Sequence, residues 1–321
     1  MNTMAKQGGA GAYLSLAAAV VFWGLSFVAT KVALESIPVF TLVFARFGTS
    51  ACLFAVLLAR RGFPRFSKKN RGKMLLLSIS EPVLYFIFET YGLRLSPAAK
   101  VSLIIATIPV AVTILSALIL KERTGAAGLL GIVVSLAGIA VLVTGDPAFE
   151  VSPGGPLLGD LLVFGAVISA ALYMVFARDV GREHSSLEIT GVQTIYGGLF
   201  FAPAFLFELP SVRWEAVTTR SLGAVLYLTI FATIIAFLCY NHALRRLPAA
   251  RASVAINGVP VVTAFGAWLL IGETLTPLQM SGGLLVLAGV FLTNLPAIYH
   301  SGKKREKATA AESKSTAGTL I

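Results

Sequence analysis

The sequence predicts an all-α integral membrane protein with ten transmembrane helices, arranged as two inverted-topology repeats of five. Three observations predict it: a composition too apolar for water, ten apolar runs of spanning length, and self-similarity at a fixed offset of 151 residues. The chain has 321 residues, of which 56% are hydrophobic and 13% charged, and its mean hydropathy is +0.83. Soluble domains carry about 25% charged residues, so a soluble enzyme is excluded at the outset. The two cysteines, Cys52 and Cys239, fall inside apolar runs and read as packing residues, not as a disulfide or metal framework.

The ten runs lie near 13–34, 38–59, 74–93, 98–120, 125–144, 157–177, 187–207, 221–244, 252–271 and 278–299. Each is close to the ~20 residues that a helix needs to cross a bilayer. The first follows Lys6 and is too long for the apolar core of a signal peptide. This reading makes 1–12 a cytoplasmic tail, 13–144 the first repeat, 145–156 an extracytoplasmic linker and 157–299 the second repeat. Residues 300–321, small, polar and charged, form a disordered cytoplasmic tail.

Charge sets the orientation. There are 26 Lys and Arg against 15 Asp and Glu, a formal net charge of +11. With the N-terminus in the cytoplasm, 20 basic residues fall in cytoplasmic segments. Four, Arg94, Lys100, Arg213 and Arg220, fall outside, and Lys31 and Arg46 lie within spans. Basic residues collect on the cytoplasmic side of membrane proteins. Both termini are therefore placed in the cytoplasm of a bacterial-type inner membrane, and the excess charge needs no nucleic acid. The basic cluster over 60–73 reads as a topology signal, with an anionic-lipid contact as the alternative.

The repeat is the strongest signal. Pro97-Ala98-Ala99-Lys100 returns as Pro248-Ala249-Ala250-Arg251. At the same offset Ser102 meets Ser253, Ile105 meets Ile256, Pro109-Val110 meets Pro260-Val261 and Glu122 meets Glu273; Gly131 and Gly138 meet Gly282 and Gly289. Chance apolar similarity does not match Pro, Glu and Gly without a gap, so the halves are a duplication. Five spans per half is an odd number, which inserts the second half upside down. Inverted repeats of this kind are a transporter device.

Trp23-Gly24 with Phe27 and Lys31, Arg46-Phe47, and the blocks running from Pro109 to Glu122 and from Pro260 to Glu273 carry a family resemblance. The sequence resembles the EamA family of the drug/metabolite transporter superfamily, as two EamA domains in tandem. The resemblance implies that spans one to four and six to nine surround a central cavity, with spans five and ten at the periphery. It further implies a secondary transporter, in most members an exporter of amino acids or other small metabolites and in some an uptake carrier.

Ionisable groups deep in a span are costly, roughly 2.5–3.5 kcal/mol each at the centre of a helix on insertion scales. Arg46 in span two and Glu81 in span three are such groups. Arg46 serves a substrate carboxylate or pairs with a span-three glutamate. Ser78, Glu81, Tyr85 and Glu89, spaced 3, 4 and 4, fall on one helix face that lines the cavity. Glu81 and Glu89 are the proton-coupling candidates, with a fixed ion pair as the alternative. Trp23, Tyr85, Tyr173 and Tyr240 complete an aromatic lining, and Tyr240 occupies at the offset the position of Glu89. In spans four and nine, small residues such as Thr113, Ser116, Ala264 and Ala267 read as helix packing. Asn257, which replaces Ala106 at the offset, adds a polar side chain to the substrate-binding set. Pro109 and Pro260 each remove a backbone donor and read as symmetric kinks and hinges. Glu122 and Glu273 are read as capping residues, not transport groups. The glycines of spans five and ten join either the two halves or two copies in a homodimer.

The expected function is a secondary-active exporter of amino acids or related small polar compounds working by alternating access. No ATP-binding, nucleophile-elbow or metal-ligand motif is present in the sequence, so neither enzyme nor cofactor is expected. The expected partners are a small-molecule substrate and the bilayer. The alternatives are a channel or lipid scramblase, or an uptake carrier for a vitamin, nucleoside or organic cation.

Overall fold

The structure, a computed structural model, describes residues 2–119, 125–149, 155–181, 183–244 and 257–293. Among these, ten apolar segments are helical, and no strand is present. They are α1 (Asn2–Leu34), α2 (Val39–Arg61), α3 (Lys68–Leu95), α4 (Ala98–Ile105 and Ile108–Ile119), α5 (Ala126–Thr144), α6 (Pro156–Val180), α7 (Ser186–Glu208), α8 (219–244), α9 (Val259–Ile271) and α10 (Pro277–Thr293). The first eight contain windows long and apolar enough to cross a membrane; α9 and α10 are shorter within the described residues. The predicted C-terminal tail and Glu122 lie outside those residues.

Packing follows a two-fold exchange of the halves. α1 packs on α8 and α9, and α6 correspondingly on α3 and α4, while α2 packs on its own counterpart α7. The tightest expression of this symmetry is the crossing of α5 and α10. A Cβ added at Gly131 would run into the backbone of Gly289 and Thr293, and one at Gly138 into that of Gly282 and Val286. Reciprocally, a Cβ at Gly282 would meet the Gly138 backbone and one at Gly289 the Gly131 backbone. The offset that relates 131 to 282 also relates 138 to 289, so each helix presents the same glycine pair to the other. Small residues let backbones approach closely where lipid offers no hydrophobic drive for helix association. These glycines join the two halves of one chain, and a homodimer through α5 and α10 would have to use other faces.

Large apolar side chains cover the outside: Leu129, Leu130 and Val133 on α5, Trp268 and Leu269 on α9, and Leu284 on α10 are all exposed. In a bilayer this is the lipid-facing surface. Cys52 lies on it too, exposed on α2 rather than packed inside, and both cysteines are free thiols.

Among the described residues, three helices are broken inside their apolar length. α4 stops at Ile105 and restarts at Ile108, with Ala106 and Thr107 in a turn. The turn precedes Pro109, because a proline removes the bond to the carbonyl four residues back and is at home in the first turn of the new helix. Asn257 and Gly258 form the matching turn before Pro260 and α9. α3 and α8 carry a different break, a widened i→i+5 turn, over Ile79–Leu84 and Leu228–Ile235. Adding the offset to 79–84 gives 230–235, so this break too is duplicated.

Candidate functional site

The break in α3 has a local cause. Pro82 lacks the N–H that would close the turn onto Ser78, and the residue before a proline is pushed out of the helical region. Glu81 is accordingly extended, at φ −146° and ψ 119°. The expected single face of Ser78, Glu81, Tyr85 and Glu89 is therefore corrected. The helix register changes at Glu81, and the Ser78 hydroxyl bonds back to the Met74 carbonyl in its own helix. Tyr85 and Glu89 remain one turn apart on the intact segment Tyr85–Leu95.

Buried backbone carbonyls left by such breaks need donors. The Glu81 carbonyl accepts a hydrogen bond from Gln193 Nε2 of α7 at 2.7 Å. Its counterpart at the offset, the Ala232 carbonyl, accepts one from Trp23 Nε1 of α1 at 3.1 Å. Each broken helix is thus completed by a side-chain N–H from the other half.

Around these breaks most of the predicted residues come together. Arg46 is 4% exposed, and its Nε donates to Thr233 Oγ1 at 2.5 Å. Thr233 in turn donates to the Leu228 carbonyl across the widened turn of α8. The guanidinium carbon lies 4.5 Å from the centroid of the Phe86 ring and 5.4 Å from that of Phe47, within cation–π range. Arg46 feels the charges or dipoles of Glu89, Tyr85, Glu81 and Tyr227. Yet among the described residues no ion pair joins it to either carboxylate. Glu89 is 2% exposed, and its Oε2 is buried without a hydrogen-bond partner. Glu81 is half-buried, within electrostatic reach of Tyr173 and Tyr240, and Tyr173 also reaches the Gln193 side chain. The Trp23 ring lies 5.0 Å from that of Tyr240, tilted by 57°, which packs Tyr240 against α1.

Asn257 stands apart from these pairs, half-buried in the turn before α9. The sequence reading missed Thr233, Gln193 and Tyr227, neutral groups that hold or face the charged ones. The Glu81-Pro82 dipeptide in mid-span was the available signal for the α3 break.

A second polar network laces the end of the bundle where α1 finishes. Lys31 Nζ pairs with Glu273 Oε1 at 2.5 Å and donates to the Ser96 carbonyl at 3.0 Å. Glu273 Oε2 accepts the Ala98 backbone N–H at 2.7 Å, capping the first turn of α4. Ser96 Oγ donates to Asp160 Oδ1 at 2.9 Å. Lys100, fully buried, sits 2.7 Å from both Asp146 Oδ2 and Asp160 Oδ2. The capping role read for Glu273 is seen here, and an ion pair is added to it.

The EamA-like transporter family matches twice, over residues 10–144 and 157–295. The chain is 30% identical to the "Uncharacterized transporter YetK" of Bacillus subtilis, over 88% of this chain and 86% of that one. It is 28% identical to an "Uncharacterized transporter" of Archaeoglobus fulgidus, over 87% and 97%. A "Probable terminal-alkyne amino-acid exporter" of Streptantibioticus cattleyicolor is 26% identical, over 92% and 96%. One solved crystal structure, described only as that of a protein, is similar with a TM-score of 0.64 at 20% identity, over 88% of this chain and 98% of that one; that likeness shows the fold alone. With both of its halves matched, the chain belongs to the EamA-like transporter family.

Proposed function

We propose that this transporter is a secondary-active exporter of amino acids or closely related small zwitterions, working by alternating access about the Arg46 cluster. One observation carries the reading: a buried arginine and a buried glutamate are within electrostatic reach of each other without an ion pair between them. An arginine fork suits a carboxylate, and a buried carboxylate with one unpartnered oxygen, Glu89 Oε2, suits an ammonium. A zwitterion placed between them satisfies both, with Trp23, Tyr85, Tyr173 and Tyr240 around its side chain. The amino-acid exporter among the relatives supports the same substrate class. In this reading both termini are cytoplasmic, the Lys31 end faces outward, and the turns before Pro109 and Pro260 are the hinges. Glu89, with Glu81, carries the coupling proton.

The test is transport in proteoliposomes. Purified protein should catalyse counterflow of at least one amino acid, and an imposed proton gradient should drive its accumulation. Glu89→Gln keeps the shape but removes both the coupling proton and the charge facing the ammonium, so it should lose accumulation and weaken exchange. Wild-type accumulation in Glu89→Gln, Glu81→Gln and the double variant would remove both carboxylates from coupling. Failure of a broad amino-acid panel to exchange would overturn the substrate class.

A further inference from the structure

We propose that the Glu273 carboxylate is the latch that holds the Lys31 end of the carrier shut, with Lys31 and the N-terminus of α4 as its two seats. The inference rests on the alternating-access reading above and adds the residues that set which end is closed.

The geometry is that of a cross-link between the repeats. Glu273 follows the end of α9 in the second repeat. One of its oxygens pairs with Lys31 on α1, and the other accepts the Ala98 N–H that opens α4, both in the first repeat. A carboxylate at a helix N-terminus is favoured by the unsatisfied N–H groups and by the helix dipole. Neither partner is deeply buried: the side-chain exposures are 29% for Lys31 and 18% for Glu273. Releasing the pair to water therefore costs much less than breaking a core ion pair, as a reversible contact requires. Behind the latch, Ser102 on α4 is fully buried, one turn inward from Ala98. Lys31 also holds the Ser96 carbonyl, so letting go of Glu273 leaves α1 and the start of α4 joined within their own repeat. Of the two contacts that Lys31 makes, the one to Glu273 joins the repeats, and it is more exposed than the Lys100–Asp160 pair that also joins them.

The offset supplies the mirror. Glu273 corresponds to Glu122, Ala98 to Ala249 and Lys31 to Arg182, so acid, cap position and base each recur with their chemistry intact. These three counterparts lie outside the described residues, and only their sequence is used. In an inverted repeat, a latch for one end implies a latch of the same composition for the other. Substitutions at the two glutamates should then shift the same equilibrium in opposite directions.

The experiment measures accessibility and needs no substrate. Ser102→Cys, in a background with Cys52→Ala and Cys239→Ala, is exposed in intact cells to a membrane-impermeant maleimide. With the latch intact, labelling from outside should be slow. Glu273→Gln and Lys31→Ala should each speed it roughly tenfold. The charge exchange Lys31→Glu with Glu273→Lys should slow it again in part, because the pair is restored while the cap on Ala98 is lost. Glu122→Gln should slow labelling below the parent rate.

An unchanged rate in Glu273→Gln overturns the proposal. So does faster labelling in both glutamate variants, which would mean that both merely support the fold; melting temperatures in detergent supply the independent check. Labelling of Ser102→Cys only from the cytoplasmic side would overturn the placement of the latch. Opposite shifts in the two variants with no amino-acid exchange would leave the latch standing and remove the substrate class.

Discussion

The contact between α2 and α8 at Arg46 and Thr233 has a twin between α7 and α3. Adding the offset turns Arg46 into Gly197, and removing it turns Thr233 into Pro82. The two twins do meet: a Cβ built on Gly197 would collide with the Pro82 ring. One place in the fold, used twice, is in one repeat an arginine bonded to a threonine and in the other a bare glycine against a proline. The broken helices are likewise paired, and each freed carbonyl receives a donor from the opposite half. The backbone device is duplicated and the charge is not. Arg46, Glu81 and Glu89 all belong to the first repeat; their offset counterparts are Gly197, Ala232 and Tyr240. In the proposed mechanism symmetry supplies two access states, and the asymmetric side chains supply one polarity of ligand.

Arg46→Met tests the sharpest side of that comparison and should have the largest effect. It removes the charge-assisted hydrogen bond to Thr233 and the cation–π contacts with the Phe86 and Phe47 rings, together a loss of about 3–5 kcal/mol. The variant should melt well below the parent in detergent and lose any substrate-induced stabilisation. Gly197→Ala, its twin, should cost only about 1–3 kcal/mol, through overpacking against Pro82, and should keep the substrate response. Equal losses of both stability and response in the two variants would mean that the asymmetry carries no chemistry.

The sequence exposes most of this layout because its signals are linear. Apolar run length gives the spans, and the fixed offset gives the duplication and its inversion. Arg46, Glu81 and Glu89 stand out because hydrocarbon is a poor place for charge. Thr233 and Gln193 do not, since neutral polar residues are unremarkable in spans and their roles depend on a helix from the other half. Pro82 announces the break in α3, but α8 breaks with no proline at all, and only the offset from Pro82 points there. The Lys100 triad is hidden for another reason. Lys100 reads as a loop charge, and its partners Asp146 and Asp160 come together only when α4, α5 and α6 meet at one end.

The two carbonyl donors offer a comparison in which the repeats should behave alike. Trp23→Phe keeps a ring and removes the N–H, and Gln193→Met keeps length and removes the amide. Each strands a buried carbonyl, at about 1–3 kcal/mol. Thermal unfolding of the two variants should show losses of similar size. A loss confined to Gln193→Met would show that the proline-bearing break alone needs a partner, and that α8 holds its widened turn through Thr233 instead.

The smallest expected effect lies at Asp146, which has an alanine, Ala297, at its offset position and so belongs to the unduplicated chemistry. Burial pushes its carboxyl up, but the hydrogen bond from Lys100, the Ala148 backbone N–H and the Lys100 charge together hold it below the ordinary value of 3.8. A carboxyl lowered in the folded state stabilises above its unfolded value, and that contribution is lost as pH falls through the lowered one. The parent's melting temperature should therefore gain a downward slope as pH falls below about 4, the range in which the unfolded carboxyl takes up its proton. Asp146→Asn should melt lower at neutral pH, and its curve should be flatter in that acid range. The gap between the two curves should narrow with acid. A gap that stays constant down to the acid limit would show that the Lys100 contact is held by Asp160 alone, with Asp146 contributing packing and not charge.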